Sequence, residues 1–243
     1  MLAAGQGTRL SKNDETYRPK CLLQFDGQSL LARHIEILKT EKLEKLTLVV
    51  GYRAADIETE LSNIGAAEFV SVINNPNYRN GSILSLSCAA SAMRSGADIL
   101  FMDADVLYHQ SLVHQLASSS ENSHILYDTN FEPGDDPVLL CLKAGQIIEF
   151  KKEASIISDV IGEWPGFVKW SSSAAIQIAD IIERKLSEGA INLPCEDSFR
   201  EYLLSPDGKN VDCSDITGLP WIEIDFLEDL DRARNVILPA LKA

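Results

Sequence analysis

Short runs of apolar, β-branched residues alternate with longer helical patterns through the first half of the chain. Leu46–Gly51, Phe69–Asn74 and Asp98–Met102 are predicted strands, and helical stretches run from Arg53 to Asn63 and from Ser82 to Arg94. This alternation is typical of βαβ units arranged around a mostly parallel sheet. We therefore predict an α/β fold, a Rossmann-like three-layer α/β/α arrangement with a mostly parallel mixed sheet.

The pattern changes after about residue 124. A strand over Ser123–Tyr127 is followed by Pro137–Lys143 and Gln146–Phe150, which Ala144-Gly145 separates, and this predicts a hairpin of antiparallel strands added to the sheet. Later elements are also predicted: a strand over Gly166–Trp170, a helix capped by Ser171 and ending near Glu188, a strand over Leu219–Ile224, and a helix starting between Asp225 and Glu228. We expect one domain over residues 1–243, with an antiparallel extension in its C-terminal half.

Charge and composition exclude several classes of function. The 243 residues carry 22 Lys+Arg against 36 Asp+Glu, a formal net charge of −14, which argues against a nucleic-acid backbone or an anionic membrane as partner. No apolar run approaches the roughly 20 residues of a membrane span, and no secretory leader pattern is present. Five scattered cysteines without a CxxC pair indicate reduced thiols, and four histidines without HExxH spacing argue against zinc chemistry. A cytoplasmic location is the expectation.

A glycine-containing loop near the N-terminus is the strongest candidate for a binding site. Leu2–Leu10 reads LAAGQGTRL, and Arg18–Leu23 reads RPKCLL. Two glycines after a strand end let backbone N–H groups approach phosphate oxygens, while Arg9 and Lys20 add positive charge beside them. The loop matches neither GxxxxGK[ST] nor GxGxxG. A plain tight turn is the alternative, but the strand end, Thr-Arg and the following Pro-Lys together favour phosphate binding.

These strings resemble the signature of the nucleotidyltransferases that make NDP-sugars and CDP-alcohols from a nucleoside triphosphate. The resemblance extends to further short motifs: Asp103-Ala104-Asp105, Gly162-Glu163-Trp164, Glu196-Asp197, Trp221–Asp225 (WIEID) and Glu228-Asp229-Leu230. Together they look most like the branch that contains phosphocholine and 2-aminoethylphosphonate cytidylyltransferases. Family members begin with a full strand before LAAG, whereas this chain opens at Met1-Leu2, so we expect several strand residues to be missing ahead of Met1.

The resemblance implies a Mg²⁺ site. It makes Asp105 and Asp225 the metal ligands, with Asp103 in support. Asp103 and Asp105 lie two apart at the carboxyl end of a strand, where period-two geometry directs both side chains to one face. Helix capping is the alternative for all three residues, and for Asp225 the sequence does not separate the two interpretations.

The resemblance also implies roles for other residues, with residues 1–122 as the nucleotide-binding half and 123–243 as the acceptor-binding half. Arg9 and Lys20 would be catalytic, by neutralising the phosphates. The predicted nucleotide-binding residues are Leu2, Ala3, Ala4, Gly5, Gln6, Gly7, Thr8, Gly81, Ser82, Ser85 and Asp103. The predicted acceptor-binding residues are Lys152, Glu163, Trp164 and Asp197.

Several of these assignments have structural alternatives. Asn80-Gly81 could be a turn with Ser82 as helix cap, and Lys152 a solvated strand end. Asp197 could be a helix N-terminal acid. A carboxylate beside an indole, as in Glu163-Trp164, can hold an ammonium group, although tryptophans are more often core anchors.

The resulting hypothesis is Mg²⁺-dependent cytidylyl transfer from CTP to a small phosphate or phosphonate of the phosphocholine or 2-aminoethylphosphonate type, with release of pyrophosphate. The sugar-1-phosphate nucleotidylyltransferases and a non-catalytic nucleotide-binding module are the alternatives. The oligomeric state and the acceptor stay open at this stage.

Overall fold

The structure, a computed structural model, describes residues 1–12, 14, 16–119, 122–131, 137–153 and 156–242. Its strands are β1 (Leu2–Ala3), β2 (Gln24–Phe25), β3 (Gln28–Ser29), β4 (Leu46–Val50), β5 (Val70–Asn74), β6 (Ile99–Met102), β7 (Val106–Tyr108), β8 (His124–Tyr127), β9 (Leu139–Lys143), β10 (Gln146–Lys151), β11 (Val160–Glu163), β12 (Phe167–Trp170), β13 (Asp212–Asp215) and β14 (Trp221–Glu223). Its α-helices are α1 (Thr8–Ser11), α2 (Leu30–Thr40), α3 (Ala54–Asn63), α4 (Ser82–Cys88), α5 (Ala90–Met93), α6 (Ser111–Ala117), α7 (Ser172–Ser187), α8 (Glu196–Leu203), α9 (Leu227–Arg232) and α10 (Leu238–Ala240). Short 3₁₀ turns cover Lys20–Leu22 and Asp207–Asn210, and a π-helical turn covers Ala233–Ile237.

The central sheet follows the order β5-β4-β1-β6-β12-β8-β13. Parallel pairing joins β5, β4 and β1, and a parallel bridge between Leu2 and Asp103 brings the end of β6 beside β1. On the other side of β6, β12 pairs antiparallel to both β6 and β8, and β13 pairs parallel to β8. The α/β fold with a mostly parallel mixed sheet is therefore confirmed. Strands from the second half of the chain complete a sheet that the first half begins.

Alternate residues of the central strands bury into cores on opposite faces of the sheet. Met102, Leu126 and Phe167 pack with α2, α3 and α6, while their neighbours Phe101 and Val168 pack with α4, α7 and α8. This period-two division is what a sheet covered by helices on both sides requires. A third core, which contains Leu10, Leu107 and Ile224, fixes the C-terminal helices against the N-terminal loop. The site described below lies over this junction.

Helix α7 follows its sequence prediction closely. The Ser171 hydroxyl accepts a hydrogen bond from the Ala174 N–H at 3.3 Å and so caps the helix, which ends at Ser187. Ala174, Ile178 and Ile182 bury one face, as an amphipathic helix packed on a sheet should. In the part of the chain that the structure describes, no helix combines the length and apolar character needed to cross a membrane.

Three elements differ from their predictions. The helix predicted from Ser82 to Arg94 is divided at Ala89 into α4 and α5. The hairpin forms with Ala144 and Gly145 both at positive φ, as a two-residue type I′ turn requires, but β9 and β10 join β11 in a sheet of their own. A strand that the sequence analysis did not predict, β7, follows residues 103–105 directly and pairs antiparallel with β14. Its three residues are too few for a periodic pattern to show.

Candidate active site

The site forms where β1, β6 and β14 end and the glycine-containing loop begins. Gly7 lies at φ 60°, and a Cβ there would come within 3.1 Å of Cγ of Lys20. Glycine at this position therefore provides both the left-handed turn that starts α1 and room for the Lys20 stem. Ala3, Gly5, Gly7, Lys20 and Asp105 line a small cleft above the loop.

Lys20 joins the two carboxylates that the sequence analysis predicted as metal ligands. Its Nζ lies 2.9 Å from Oδ2 of Asp105 and 2.5 Å from Oδ1 of Asp225. Arg9 donates to the second oxygen of Asp225, with 2.8 Å from its guanidinium nitrogen to Oδ2. Four residues that are up to 216 positions apart in the sequence thus meet at one point, as the sequence analysis expected of them.

The charge of Lys20 is fixed by these neighbours. Burial by itself would lower the pKa of Lys20, but the negative charges of Asp105 and Asp225, and then the hydrogen bonds to them, hold the pKa above its ordinary value. The lysine is therefore a permanent cation between two carboxylates. The carboxylates of Asp105 and Asp225 thus make this a site that attracts cations.

Glu223 is a third carboxylate of this cluster and was not singled out from the sequence. Carboxylate oxygens of Asp105, Glu223 and Asp225 all lie within 4.8 Å of one another. Partial enclosure in the cleft, and then the charges of Asp105 and Asp225, raise the pKa of Glu223 above that of an ordinary glutamate. The sequence did contain a signal for Glu223, since it precedes Asp225 by two positions, the same spacing as Asp103 and Asp105.

The donor set fits a divalent cation such as Mg²⁺. Mg²⁺ prefers carboxylate oxygens together with substrate phosphates and waters, and three converging carboxylates offer that chemistry. The helix-cap alternative for Asp225 does not hold, because Oδ2 of Asp229 accepts the N–H groups of Asp225 and Phe226 at the start of α9. The carboxylate of Asp225 is thereby left to the cations.

Asp103 borders a larger cleft of about 200 Å³ beside the carboxylate cluster. Desolvation, and then the charges of Asp105, Glu196 and Glu223, raise the pKa of Asp103 well above its usual range. Gly166, at φ 84°, packs against it so closely that a Cβ would lie 2.9 Å from Oδ2 of Asp103. The same cleft is lined by Arg9, Lys152, Glu163 and Asp225.

The far wall of this cleft combines an indole with two carboxylates. Trp221 donates from its indole nitrogen to Oδ2 of Asp128 at 2.8 Å. The backbones of Asp128 and Glu163 form a two-way bridge, with N–O distances of 2.9 and 2.8 Å, which brings both residues to the same wall. Asp128 was missed in the sequence analysis, although it directly follows the predicted strand Ser123–Tyr127.

Trp164 differs from its expected role as an ammonium-binding residue. Its side chain is 4% exposed, and its ring packs against Phe101, Phe150 and Phe199 at centroid distances of 5.4 to 6.1 Å. Its indole nitrogen donates to the carbonyl of Phe167 at 2.8 Å. The ring is thus a core anchor at the edge of the cleft. Trp221, in contrast to Trp164, donates its indole hydrogen bond to a carboxylate of the cleft wall, that of Asp128.

Three of the predicted nucleotide-binding residues, Gly81, Ser82 and Ser85, make hydrogen bonds within the protein. The N–H of Gly81 donates to the carbonyl of Ile191 at 3.0 Å, and a Cβ there would clash with the carbonyl oxygen of Leu193 at 2.1 Å. The hydroxyl of Ser82 accepts the N–H of Cys195 at 2.8 Å, and that of Ser85 accepts the amide of Asn75 at 2.9 Å. These bonds connect α4 to its neighbours and occupy the N–H of Gly81, but a hydroxyl that accepts one hydrogen bond can still donate another.

The remaining predicted residues divide between the loop and the cleft. Leu2 lies in β1 beside the loop, the buried Ala4 accepts the N–H of Tyr52 at 3.0 Å, and Gln6 and Thr8 flank Gly7. Lys152 lines the larger cleft. Asp197 is the second residue of α8 and an acid of its first turn, whereas its neighbour Glu196 is the residue that lines the cleft. The helix-terminus alternative therefore describes Asp197 better than acceptor binding does.

Comparison with known proteins gives a consistent result. A family model described as the MobA-like NTP transferase domain matches residues 1–152. A CTP:phosphoglutamine cytidylyltransferase of Campylobacter jejuni is 25% identical over 95% of this chain and 96% of its own length. A choline-phosphate cytidylyltransferase of Streptococcus pneumoniae is 24% identical over 98% of this chain and 96% of its own. The inositol-1-phosphate CTP transferase structure from T. maritima superposes with a TM-score of 0.75 at 19% identity, covering 99% of this chain and 94% of that one.

Proposed function

The chain belongs to the MobA-like NTP transferase domain family, and on that basis we propose that it transfers CMP from CTP to a small phosphate- or phosphonate-bearing acceptor and releases pyrophosphate. The observation that carries the proposal is the convergence of Arg9, Lys20, Asp105 and Asp225 at the glycine-containing loop. Two relatives that align over almost their whole length are named for cytidylyl transfer, which supports CTP as the nucleotide.

The reaction has simple proton requirements. An oxygen of the acceptor phosphate attacks the α-phosphorus of CTP, the bond from the α-phosphorus to the bridging oxygen breaks, and pyrophosphate leaves with that electron pair. A phosphate monoester has a second pKa of about 6 and is already dianionic at neutral pH, so the chain needs no general base. The difficulty is the repulsion between two anions, and removing it is the task that we assign to the site residues.

Arg9 and Lys20 would neutralise the triphosphate in this scheme. Gly7 leaves room at the loop for the stem of Lys20, and Arg9 is half-exposed and can turn toward an entering phosphate. The carboxylates of Asp105, Glu223 and Asp225 would hold Mg²⁺, which when bound would neutralise phosphate charge. Backbone N–H groups of Gly5–Gly7 would complete the phosphate-binding surface.

The larger cleft supports an acceptor that carries an amine or ammonium group. Its wall holds Asp128 and Glu163 beside the indole of Trp221, and carboxylates next to an aromatic ring attract a cation. Lys152, on the same cleft, would hold the phosphate of the acceptor. We therefore place the acceptor with its anionic end toward Lys152 and Arg9 and its cationic end toward Asp128.

The direct test measures pyrophosphate release with each of the four nucleoside triphosphates. Its acceptor panel contains phosphocholine, 2-aminoethylphosphonate, inositol phosphate and hexose 1-phosphates. We expect turnover with CTP and an amine-bearing acceptor, and a loss of at least ~10²-fold in Asp105→Asn. Asp180→Asn is the control, because that carboxylate pairs with Arg94 on the surface. Turnover in Asp105→Asn equal to that of the control would contradict the proposal.

A further inference from the structure

The three residues between β6 and β7 place the site carboxylates, and a buried histidine of α2 lies against them. His34 is 1% exposed, and its Nε2 lies 3.1 Å from the carbonyl oxygen of Ala104. Ala104 stands between Asp103 and Asp105 and is itself buried. The histidine is therefore in contact with the backbone from which both carboxylates project.

The second ring nitrogen of His34 completes a fixed geometry. A carbonyl oxygen only accepts, so Nε2 must carry the proton, and Nδ1 is left to accept from the hydroxyl of Tyr108 at 3.3 Å. The two rings stack with centroids 5.3 Å apart and planes 12° from parallel. Tyr108 is 2% exposed and belongs to β7. His34 thus contacts the chain both before and after Asp105.

Other elements hold the same segment through backbone groups. The N–H of Asp103 donates to the carbonyl of Gly166 at 3.1 Å, and the carbonyl of Asp105 accepts the N–H of Ile224 at 3.0 Å. The bond to Ala104 comes from a side chain instead, so a substitution can remove it without altering a strand. Without a donor, the buried carbonyl of Ala104 would be unsatisfied, and its peptide would turn to find a partner.

We propose that His34 is a positioning residue that fixes the Ala104 peptide and thereby sets the position of the Asp105 carboxylate relative to Glu223 and Asp225. The inference rests on the proposed function, in which these carboxylates hold a divalent cation. Groups that orient metal ligands from outside typically contribute a factor of ~10–100 in metal affinity or activity when they are removed.

The experiment compares four proteins by titration with Mn²⁺ alone, followed by electron paramagnetic resonance, and by kcat and KM for pyrophosphate release. His34→Met puts an apolar side chain of similar length in place of the imidazole, and so removes the N–H donor to the Ala104 carbonyl. His34→Gln keeps an N–H donor at a similar reach. Leu38→Ala, on the same helix and 1% exposed, destabilises the same core but removes no hydrogen-bond donor to the Ala104 carbonyl.

We expect Mn²⁺ affinity or kcat to fall ~10–100-fold in His34→Met. His34→Gln should stay within about threefold of wild type, and Leu38→Ala should keep wild-type affinity despite a lower Tm. Unchanged Mn²⁺ binding and kcat in His34→Met, or an equal loss in Leu38→Ala, would overturn the inference.

Two further outcomes separate this inference from the proposed function. If His34→Met does not fold, Tyr108→Phe is the deciding variant, because it removes only the hydroxyl that orients the imidazole. A weaker Mn²⁺ affinity in Tyr108→Phe would support the inference. An unchanged affinity together with an unchanged kcat would overturn it. A wild-type protein that binds no Mn²⁺ and releases no pyrophosphate would instead overturn the proposed function, and this inference with it.

Discussion

Replacing Lys20 with methionine should destabilise the protein, and a divalent cation should restore much of the loss. The ammonium group of Lys20 lies 2.9 Å from Asp105 and 2.5 Å from Asp225, with 13% of the lysine side chain exposed. Methionine keeps most of the apolar stem but removes the charge. The two carboxylates, 24% and 16% exposed, would then face each other across the space that the ammonium group had filled.

The expected magnitude follows from this geometry. Removing one partner of a fully buried ion pair costs ~3–5 kcal/mol because a charge is left uncompensated. Here the carboxylates are partly solvated and Arg9 still contacts Asp225, so we expect a loss of about 2–3 kcal/mol. A cation that binds only the folded state at 100 times its Kd returns about 2.7 kcal/mol. Saturating Mg²⁺ should therefore bring the variant close to the wild-type stability.

Urea unfolding followed by circular dichroism measures both effects, in MgCl₂ and in NaCl at the same ionic strength. Lys185→Met is the matched control, because Lys185 is 16% exposed and pairs at 3.0 Å with Glu201, whose carboxylate Arg184 also contacts. The control should lose no more than ~1 kcal/mol and should not respond specifically to Mg²⁺. A loss below 1 kcal/mol in Lys20→Met, or a response to Mg²⁺ no larger than that of the control, would refute the reasoning.

Three further predictions concern the triphosphate, the acceptor and pH. Arg9→Ala should lower kcat by ~10²-fold or more through lost charge neutralisation; a change confined to the acceptor KM would contradict its phosphate role. Glu163→Gln should raise KM for amine-bearing acceptors while leaving KM for CTP unchanged, and an unaltered acceptor preference would discard the cationic subsite. Burial lowers the pKa of His34 from 6.5 to about 4. As the pH falls from about 6.5 to about 4, His34 is therefore protonated in the unfolded chain before it is protonated in the folded protein, and the free energy of unfolding should decrease by up to about 3 kcal/mol. Urea unfolding of His34→Gln should show a flatter pH dependence over the same range, and parallel curves would rule this out.

The local features of the site could be read from the sequence because they depend on neighbouring residues. The spacing of Gly5, Gly7 and Arg9 predicts a phosphate-binding loop, and an apolar strand followed by Asp103 and Asp105 predicts carboxylates at a sheet edge. The Ser171 cap and the turn at Ala144-Gly145 were likewise predictable, since each depends on the conformational preferences of one or two residues.

Features that depend on how distant segments pack could not be predicted in this way. Trp164 is a core anchor instead of the predicted ammonium-binding residue, because Phe199 of α8 packs against its ring. Trp221 lies on β14, which pairs with β7, a strand that the sequence did not predict. The division of the predicted helix at Ala89 has no counterpart in the residue pattern. The role of His34 depends on Ala104, 70 positions away.

Composition, hydrophobic period and short motifs were by themselves sufficient for the α/β class, the loop and its cations Arg9 and Lys20, because those properties arise within a few residues of chain. The prediction of Asp105 and Asp225 as metal ligands came from the family resemblance. Tertiary structure alone decided how these charges are arranged: that the ammonium group of Lys20 lies between Asp105 and Asp225, that Glu223 joins them, and that Asp128 and Glu196 rather than Asp197 border the cleft. Electrostatic energy depends on distance in space, and the chain sets that distance only when the strands that carry these residues have paired.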